Sequence, residues 1–452
     1  MSHSRLPSRV GRRWTFACFT ALAAVGVGRV AGAAEPAAWA ERHLPELVEL
    51  YRHFHAHPEL SLHETATAER LAEELRGAGL TVTAGVGGTG VVGVLQNGPG
   101  PTVMVRTDLD ALPVAEKTEL IYASKVKVRD ADGRETGVMH ACGHDIHITC
   151  LVGVARYLAT HAERWSGRLI CIGQPAEERG MGARAMLDAG LFTKFPKPDF
   201  ALALHCDSKL PAGTVGHRSG YILANVDTVD IALFGRGGHG AHPHTTIDPV
   251  VIAAHLVVDL QSIVAREIKP GEPAVVTVGS IHGGTKHNII GDRCDLQLTV
   301  RSYTDEVRNH LLDAIRRKAK AAAQGAGAPE PQVTLGDGFT PATRNDEALT
   351  ARLVPVWTAT FGESRVVEVP PSMGGEDFSV YGLAGVPICM FSLGTVEAQR
   401  LAGFERLKQA PPSLHSPFFY PDAEPTLRTG VTAMTAAVLH LMPPKHAAPS
   451  LK

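Results

Sequence analysis

The chain has 452 residues, with 44 Lys and Arg against 46 Asp and Glu, 22 His, 7 Cys, 46 Gly and 30 Pro. At about 150 residues per domain this length admits two or three domains and a sizeable core. A hydrophobic share of 44% with 20% charged residues excludes disordered, collagen-like and coiled-coil chains, a net charge of −2 gives no basic footprint for nucleic acid, and seven Cys are too few for a disulfide scaffold.

Residues 1–33 read as a secretory signal. Arg5, Arg9, Arg12 and Arg13 precede an uncharged stretch from Trp14 to Gly28, and Ala31-Gly32-Ala33 offers a small-residue cleavage site. The uncharged run is too short to span a bilayer comfortably. The expected mature protein is therefore exported, periplasmic or secreted, with no membrane partner once the signal is removed. Arg12-Arg13 leaves both the general and the twin-arginine export routes open.

From Ala37 to Leu80 the pattern is helical, with a break at His57-Pro58. Val91–Leu95, Thr102–Arg106, Arg168–Ile172 and Phe200–Leu204 then read as buried strands, with helices at Gly143–His161 and Gly182–Leu191 between them. Such alternation predicts a largely parallel mixed sheet covered by helices, an α/β catalytic domain. The polar stretch from Lys125 to Glu135 predicts a hairpin around Asp132-Gly133.

Between residues 224 and 336 the texture changes. Val229, Ile231 and Leu233 alternate with polar or small residues, as do Cys294, Leu296, Leu298 and Val300, so both segments predict strands with one solvated face. Asp248-Pro249 opens a helix to about Arg266, Ala274–Ile281 is a strand, Thr304 begins a helix to about Gln324, and Gln332–Leu335 closes the set. The order βαββαβ is ferredoxin-like. This predicts an inserted domain at 224–336, splitting the catalytic domain into 37–223 and 337–442, the latter with helices at Asp346–Phe361 and Thr426–Leu441 and a strand at Val386–Phe391.

The chemistry gathers at strand ends, where open α/β sheets bind their ligands. The strand from Thr102 delivers Asp108 and Asp110, that from Arg168 delivers Glu177 and Glu178, and that from Phe200 delivers His205. His140-Ala141-Cys142-Gly143-His144-Asp145 precedes a helix. Such a mix of carboxylate, imidazole and thiol suits Zn²⁺ or a similar transition ion. Taken singly, a Cys in a turn or paired Glu at a helix start is ordinary structure; four such elements on one edge are not.

His140–Asp145, Pro175–Glu178, Gly237–His244, Gly374–Phe378 and Leu414–Pro417 resemble, in family order, the amidohydrolase branch of the aminoacylase/carboxypeptidase metallopeptidases. That branch includes hippurate hydrolases and auxin–amino acid conjugate hydrolases. The resemblance covers nearly the whole chain after the signal. It implies two divalent transition-metal ions per subunit, Zn or Mn with Co or Ni as alternatives, held by Cys142, His144, Glu178, His205 and His415, with Cys142 bridging. It further implies Glu177 as general base and Asp110 as a carboxylate supporting the metal shell from behind. His239 matches a residue that reaches the partner subunit's site to stabilise the oxyanion, and Asn288 one that contacts the substrate carboxylate. Both imply a homodimer through residues 224–336. Other branches place a metal-binding His where Asp108 stands here.

The implied reaction is hydrolysis of an N-acyl-amino acid or of a small peptide, by a water activated by metal and deprotonated by Glu177. A dipeptidase or carboxypeptidase of the same family is the alternative. An exported metal-binding relative without activity is a third reading, disfavoured because a binder needs no free base at Glu177. Ala203-Leu204-His205-Cys206 and Asn288-Ile289-Ile290-Gly291 depart from the family pattern without removing a ligand, and leave substrate preference open. Gly85–Gly90 fits a dinucleotide-binding glycine pattern, but a β-rich run follows it where a helix is required. His-Glu-x-x-His, a P-loop and Gly-x-Ser-x-Gly are all missing from the sequence.

Overall fold

The structure, a computed structural model, describes residues 27–129, 133–336 and 338–445. The expected signal at 1–33 lies outside these residues up to position 26; Val27–Ala33 are the first turns of a helix, Val27–Ala56. That helix ends where His57-Pro58 breaks the pattern, and the next runs over Thr65–Gly77.

The larger sheet has eight strands in the order Thr81–Ala84, Val91–Asn97, Gly167–Gln174, Thr102–Asp108, Phe200–Pro211, Ile388–Val396, Val215–His217 and Val366–Glu368. Its four central strands are parallel, while the pairings on the Thr81 side are antiparallel. The central strands are buried on both faces, so their apolar runs are nearly continuous. Helices Val27–Ala56, His144–Thr160, Glu347–Phe361 and Ala423–Leu441 cover one face, contributing Leu47, Tyr51, Leu151, Trp357 and Val431 to the main core. Met186, Phe378 and Tyr381 cover the other.

Two strands run further than the sequence suggests. Phe200–Pro211 continues seven residues past Leu204 and Ile388–Val396 five past Phe391, because the two pair in parallel almost to their ends. The short strands Thr81–Ala84, Val215–His217 and Val366–Glu368 have too few residues to carry a legible period. Lys127–Arg129 pairs antiparallel with Glu135–Gly137, with Asp132 outside the described residues.

The second sheet has the order Ala274–Gly283, Arg293–Ser302, Asn225–Phe234, Gln332–Leu335, every pairing antiparallel. Helices Pro249–Ser262 and Asp305–Gly325 pack on one face around Ile231, Leu256, Leu296 and Leu311. Strand order and helix positions are those of a ferredoxin-like βαββαβ sandwich. Asp248 caps the first helix by accepting from Val250 and Val251 N–H, and Thr304 caps the second through Val307 N–H. Among the described residues one helical stretch, Pro249–Glu267, is long and apolar enough to cross a membrane by length and composition, yet it packs on this sheet.

Candidate metal centre

Register lines up the strand ends. Asp108 pairs with Gln174, and Arg106 pairs with Ala203, so Asp108 stands level with His205 two residues further along. The segment from Pro175 thus leaves the sheet beside Asp108 and brings Glu177 and Glu178 to the same rim. Cys142 and His144 arrive at the N-terminus of helix His144–Thr160. Gly143 caps that helix at φ +85°, and a Cβ there would stand 2.8 Å from Cys206 Sγ, so only Gly fits. His415 enters from the far end of the chain, its backbone N–H donating to Ala141 carbonyl at 2.8 Å. It holds a left-handed φ of +69°, a conformation that residues with a Cβ keep only when their surroundings impose it.

Five side chains meet there. Cys142, His144 and His205 form one group of three donors within 4.8 Å of one another, and Cys142, Glu178 and His415 form a second. The two groups share Cys142. Each histidine turns Nε2 to the cluster for a local reason. His144 Nδ1 donates to the Asp110 carbonyl at 2.7 Å and His205 Nδ1 to the Cys206 carbonyl at 2.9 Å, so Nε2 faces the cluster, that of His205 lying 3.7 Å from Cys142 Sγ. His415 Nε2 lies 3.4 Å from Glu178 Oε1. His144 Nε2 and Glu178 Oε1 are buried and have no hydrogen-bond partner among the described residues. Buried polar atoms are seldom left so, and a cation between them would satisfy both.

The electrostatics agree with that fit. Burial pushes the Cys142 thiol well above its ordinary pKa, and the nearby Glu178 and Glu177 push it further. Burial works against protonating His144, yet Asp108, Asp110 and Glu178 outweigh it and hold the imidazole at about 10. Burial and the carboxylates of Glu376, Glu178 and Asp110 raise Glu177 well above its ordinary value. The cluster has more negative charge than the protein's own cations balance, and it holds protons in their place.

Asp110 sits behind the cluster. Its Oδ2 accepts from Glu178 N–H at 3.0 Å and from the Ser61 hydroxyl at 2.6 Å. His147, which the sequence left without a role, forms another group of donors with Asp108 and His144. Both of its nitrogens are already used: Nδ1 donates to Asp108 at 2.7 Å and Nε2 accepts from Cys206 N–H at 2.9 Å. It is a satisfied core histidine, kept neutral by burial with its pKa near 4. Asp108 accordingly orients His147 rather than replacing a histidine ligand.

Arg106 also escaped the sequence reading. Its five N–H groups reach Gln174, Asp108, both oxygens of Glu376 and Asp377, all deep in the protein. Arg106 and Asp108 alternate onto one face of their strand, a signal that was legible, but Glu376 and Asp377 lie 270 residues further along. Burial and Glu376 raise Asp377 to about 7 against the pull of Arg106.

His239 and Asn288 lie elsewhere. Both are exposed, His239 in the small antiparallel pair Gly238–His239 and Ile289–Ile290 and Asn288 in the turn just before it, where Gly240 N–H donates to the Asn288 carbonyl at 2.9 Å. Among the described residues no hydrogen bond or ion pair joins either to the cluster. Those Cys residues that are described, six in number, are buried and unpaired.

An α/β sheet with a shared-thiol cluster of N, O and S donors at its parallel strand ends defines a metallohydrolase. Residues 104–439 match peptidase family M20/M25/M40, and the chain belongs to that family. It is 39% identical over 353 residues to thermostable carboxypeptidase 2 of Saccharolobus solfataricus, covering 77% of this chain and 86% of that protein. Identity to the N-acetyldiaminopimelate deacetylase of Limosilactobacillus reuteri is 35% over 405 residues, covering 88% and 98%. The solved structure of the Bacillus subtilis YxeP protein, a dinuclear metal binding peptidase of the M20 family, matches with a TM-score of 0.72 at 28% identity, over 89% of this chain and 99% of that one. The protein is a metal-dependent hydrolase acting on amide C–N bonds.

Proposed function

We propose that the protein hydrolyses N-acyl-amino acids of the hippurate type, using two divalent transition-metal ions. The observation that carries this reading is the pair of three-donor groups sharing Cys142, with Glu177 beside them. Cys142, His144 and His205 would hold one ion, and Cys142, Glu178 and His415 the other. A thiolate with imidazoles and a carboxylate suits Zn, with Mn the alternative that the family resemblance implies. Bound there, the ions would supply Lewis acidity to the amide carbonyl and lower the pKa of water. Glu177 takes the proton from the attacking water and returns it to the leaving amine. Asp110 fixes the backbone of Glu178 and the tautomer of His144, through its carboxylate and its carbonyl respectively.

His239 supports an oxyanion role. Its Nδ1 accepts from Ala241 N–H at 3.0 Å, so its proton stands on Nε2, a donor turned to the outside. Remoteness from its own cluster supports action on a second copy, with Asn288 beside it to meet the substrate carboxylate. Among the described residues strand Ala274–Gly283 is a sheet edge with no strand on its outer side, and the neighbouring helix exposes Val250, Val251 and Val258. An unpaired edge beside an apolar helix face favours a homodimer through this sheet. The basic, apolar, Ala-x-Ala order of residues 1–33 supports export. The carboxypeptidase relative favours short peptides with a free carboxylate as the second substrate class.

Glu177→Gln tests the mechanism. The amide is nearly isosteric but accepts no proton from water, so kcat should fall about 10²–10⁴-fold with metals retained and KM little changed. Retention of most of kcat would overturn the role. Loss of metal would exchange the parts played by Glu177 and Glu178.

A further inference from the structure

The turn between the first two helices supplies no reacting group, yet it holds the backbone on either side of Glu177, directly at Ala176 and through Asp110 at Glu178. Glu64 stands at the N-cap of helix Thr65–Gly77, where an acidic side chain would ordinarily accept from its own helix's free N–H groups. It makes no such bond. Its carboxylate, fully buried, is turned across to the strand ends instead. Oε1 accepts from Ala176 N–H at 2.8 Å and from Leu62 N–H at 2.9 Å, and Oε2 accepts from the Thr89 hydroxyl at 2.8 Å. No Lys, Arg or His forms an ion pair with it among the described residues, so these three donors alone compensate a buried carboxylate.

Ala176 immediately precedes Glu177 and is left-handed, at φ +49° and ψ +41°. A residue with a Cβ avoids that region, and one bend of the backbone there decides where both following side chains point. Downstream, Glu178 N–H is held by Asp110 Oδ2, which also accepts from Ser61 in the same turn as Glu64. The turn is itself pinned to the strand end carrying Asp110, since Ala111 N–H donates to the Glu59 carbonyl at 2.8 Å. One turn therefore clamps the backbone before Glu177 directly and the backbone after it through Asp110.

We propose that Glu64 is a positioning residue for catalysis: its carboxylate holds Ala176 left-handed and thereby aims Glu177 into the site. This rests on Glu177 acting as the base, which the single variant Glu177→Gln tests on its own. Misplacement of a catalytic group by about 1 Å can cost about 10²-fold. Glu64→Ala should accordingly lower kcat by that order with KM changed less than about threefold. Glu64→Gln, whose carbonyl oxygen can still accept from Ala176 and Leu62, should stay within about tenfold of the parent.

Two further variants separate positioning from mere support. Gly adopts φ > 0 freely, so Ala176→Gly should restore part of the kcat lost in Glu64→Ala; a residue needed only for folding would not be rescued there. In the Glu177→Gln background, Glu64→Ala should lower the residual rate little, because groups acting as one unit are not additive. Full kcat in folded, metal-loaded Glu64→Ala would overturn the proposal. So would an equal loss in both backgrounds. Should Glu64→Ala fail to fold, Glu64→Asp keeps a buried carboxylate but stands one methylene short of Ala176 N–H, and an unchanged kcat in that folded variant would likewise refute it.

Discussion

Replacing Arg106 by Met should cost the protein a large part of its stability. The guanidinium places five N–H groups on Gln174, Asp108, Glu376 and Asp377, and neither it nor its carboxylate partners have any exposed side-chain surface. Removing one side of a buried ion pair costs about 3–5 kcal/mol, because the remaining charge is left without compensation. Here three carboxylates would be left, against a whole-domain stability of about 5–15 kcal/mol. Arg106→Lys keeps the charge but lacks the fork, and a single ammonium cannot meet Gln174, Asp108, Glu376 and Asp377 together; a loss of about 1–3 kcal/mol is expected. Burial and Glu376 raise the folded-state pKa of Asp377 to about 7 against the pull of Arg106, so the Arg106–Asp377 attraction is present at pH 7.5 and is lost as pH falls below about 7 and that carboxylate protonates. Urea unfolding of metal-free parent and variant at pH 7.5 and pH 5 should give a deficit that narrows at the lower pH. A Met variant within about 1 kcal/mol of the parent at pH 7.5 would refute this account of the network.

Glu178→Ala and Cys142→Ala should lose metal and activity together, since each removes one of only three donors from a group, Cys142 from both; full metal content in purified Glu178→Ala would remove it from the ligand set. Metal uptake near pH 7 should release protons, because Cys142 and His144 hold theirs when no ion is bound, and a weakly buffered indicator assay reads this directly. His55 is buried between Asp145 at 2.7 Å and Glu116 at 3.1 Å, which, against the opposing effect of burial, raise its pKa to about 9. A raised pKa stabilises the fold fully below about 6.5, and that contribution, about 3 kcal/mol, is lost as pH rises through 9. The gap in unfolding free energy between parent and His55→Gln should narrow by that order from pH 6 to pH 10. Mixing inactive His239→Ala with inactive Glu177→Ala should restore partial activity if His239 works on the partner's site; none, despite proven subunit exchange, would place its action within its own chain.

Much of this was legible because local patterns and local chemistry coincide. Parallel strands buried on both faces read as apolar runs, and the residues just past them, Asp110, Glu177 and Glu178, could be anticipated from the rule that ligands bind at strand ends. Cys142 and His144 stood out because a thiol and an imidazole flank a glycine before a helix. What could not be read were partnerships over long sequence distances. Nothing near Arg106 announces Glu376, and nothing near Ala176 announces Glu64. His147 illustrates the converse: it has the residue type and the neighbours of a ligand, and only its two hydrogen bonds reveal that its nitrogens are already engaged.

The chain's path through the cluster ties both groups of donors to its C-terminal part. Cys142, His144 and His205 all lie in the first half of the sequence, but the strand Ile388–Val396 that pairs alongside His205 and the helices that bring Trp357 and Val431 to the same core come much later. The second group needs His415, which comes only after the whole four-stranded sheet, itself continuous in sequence from Asn225 to Leu335 and able to fold by local contacts while the rest is still being made. A C-terminally shortened chain would therefore lack not only His415 but also the strand and helices that close the core around the first group, and should hold neither group of donors in place.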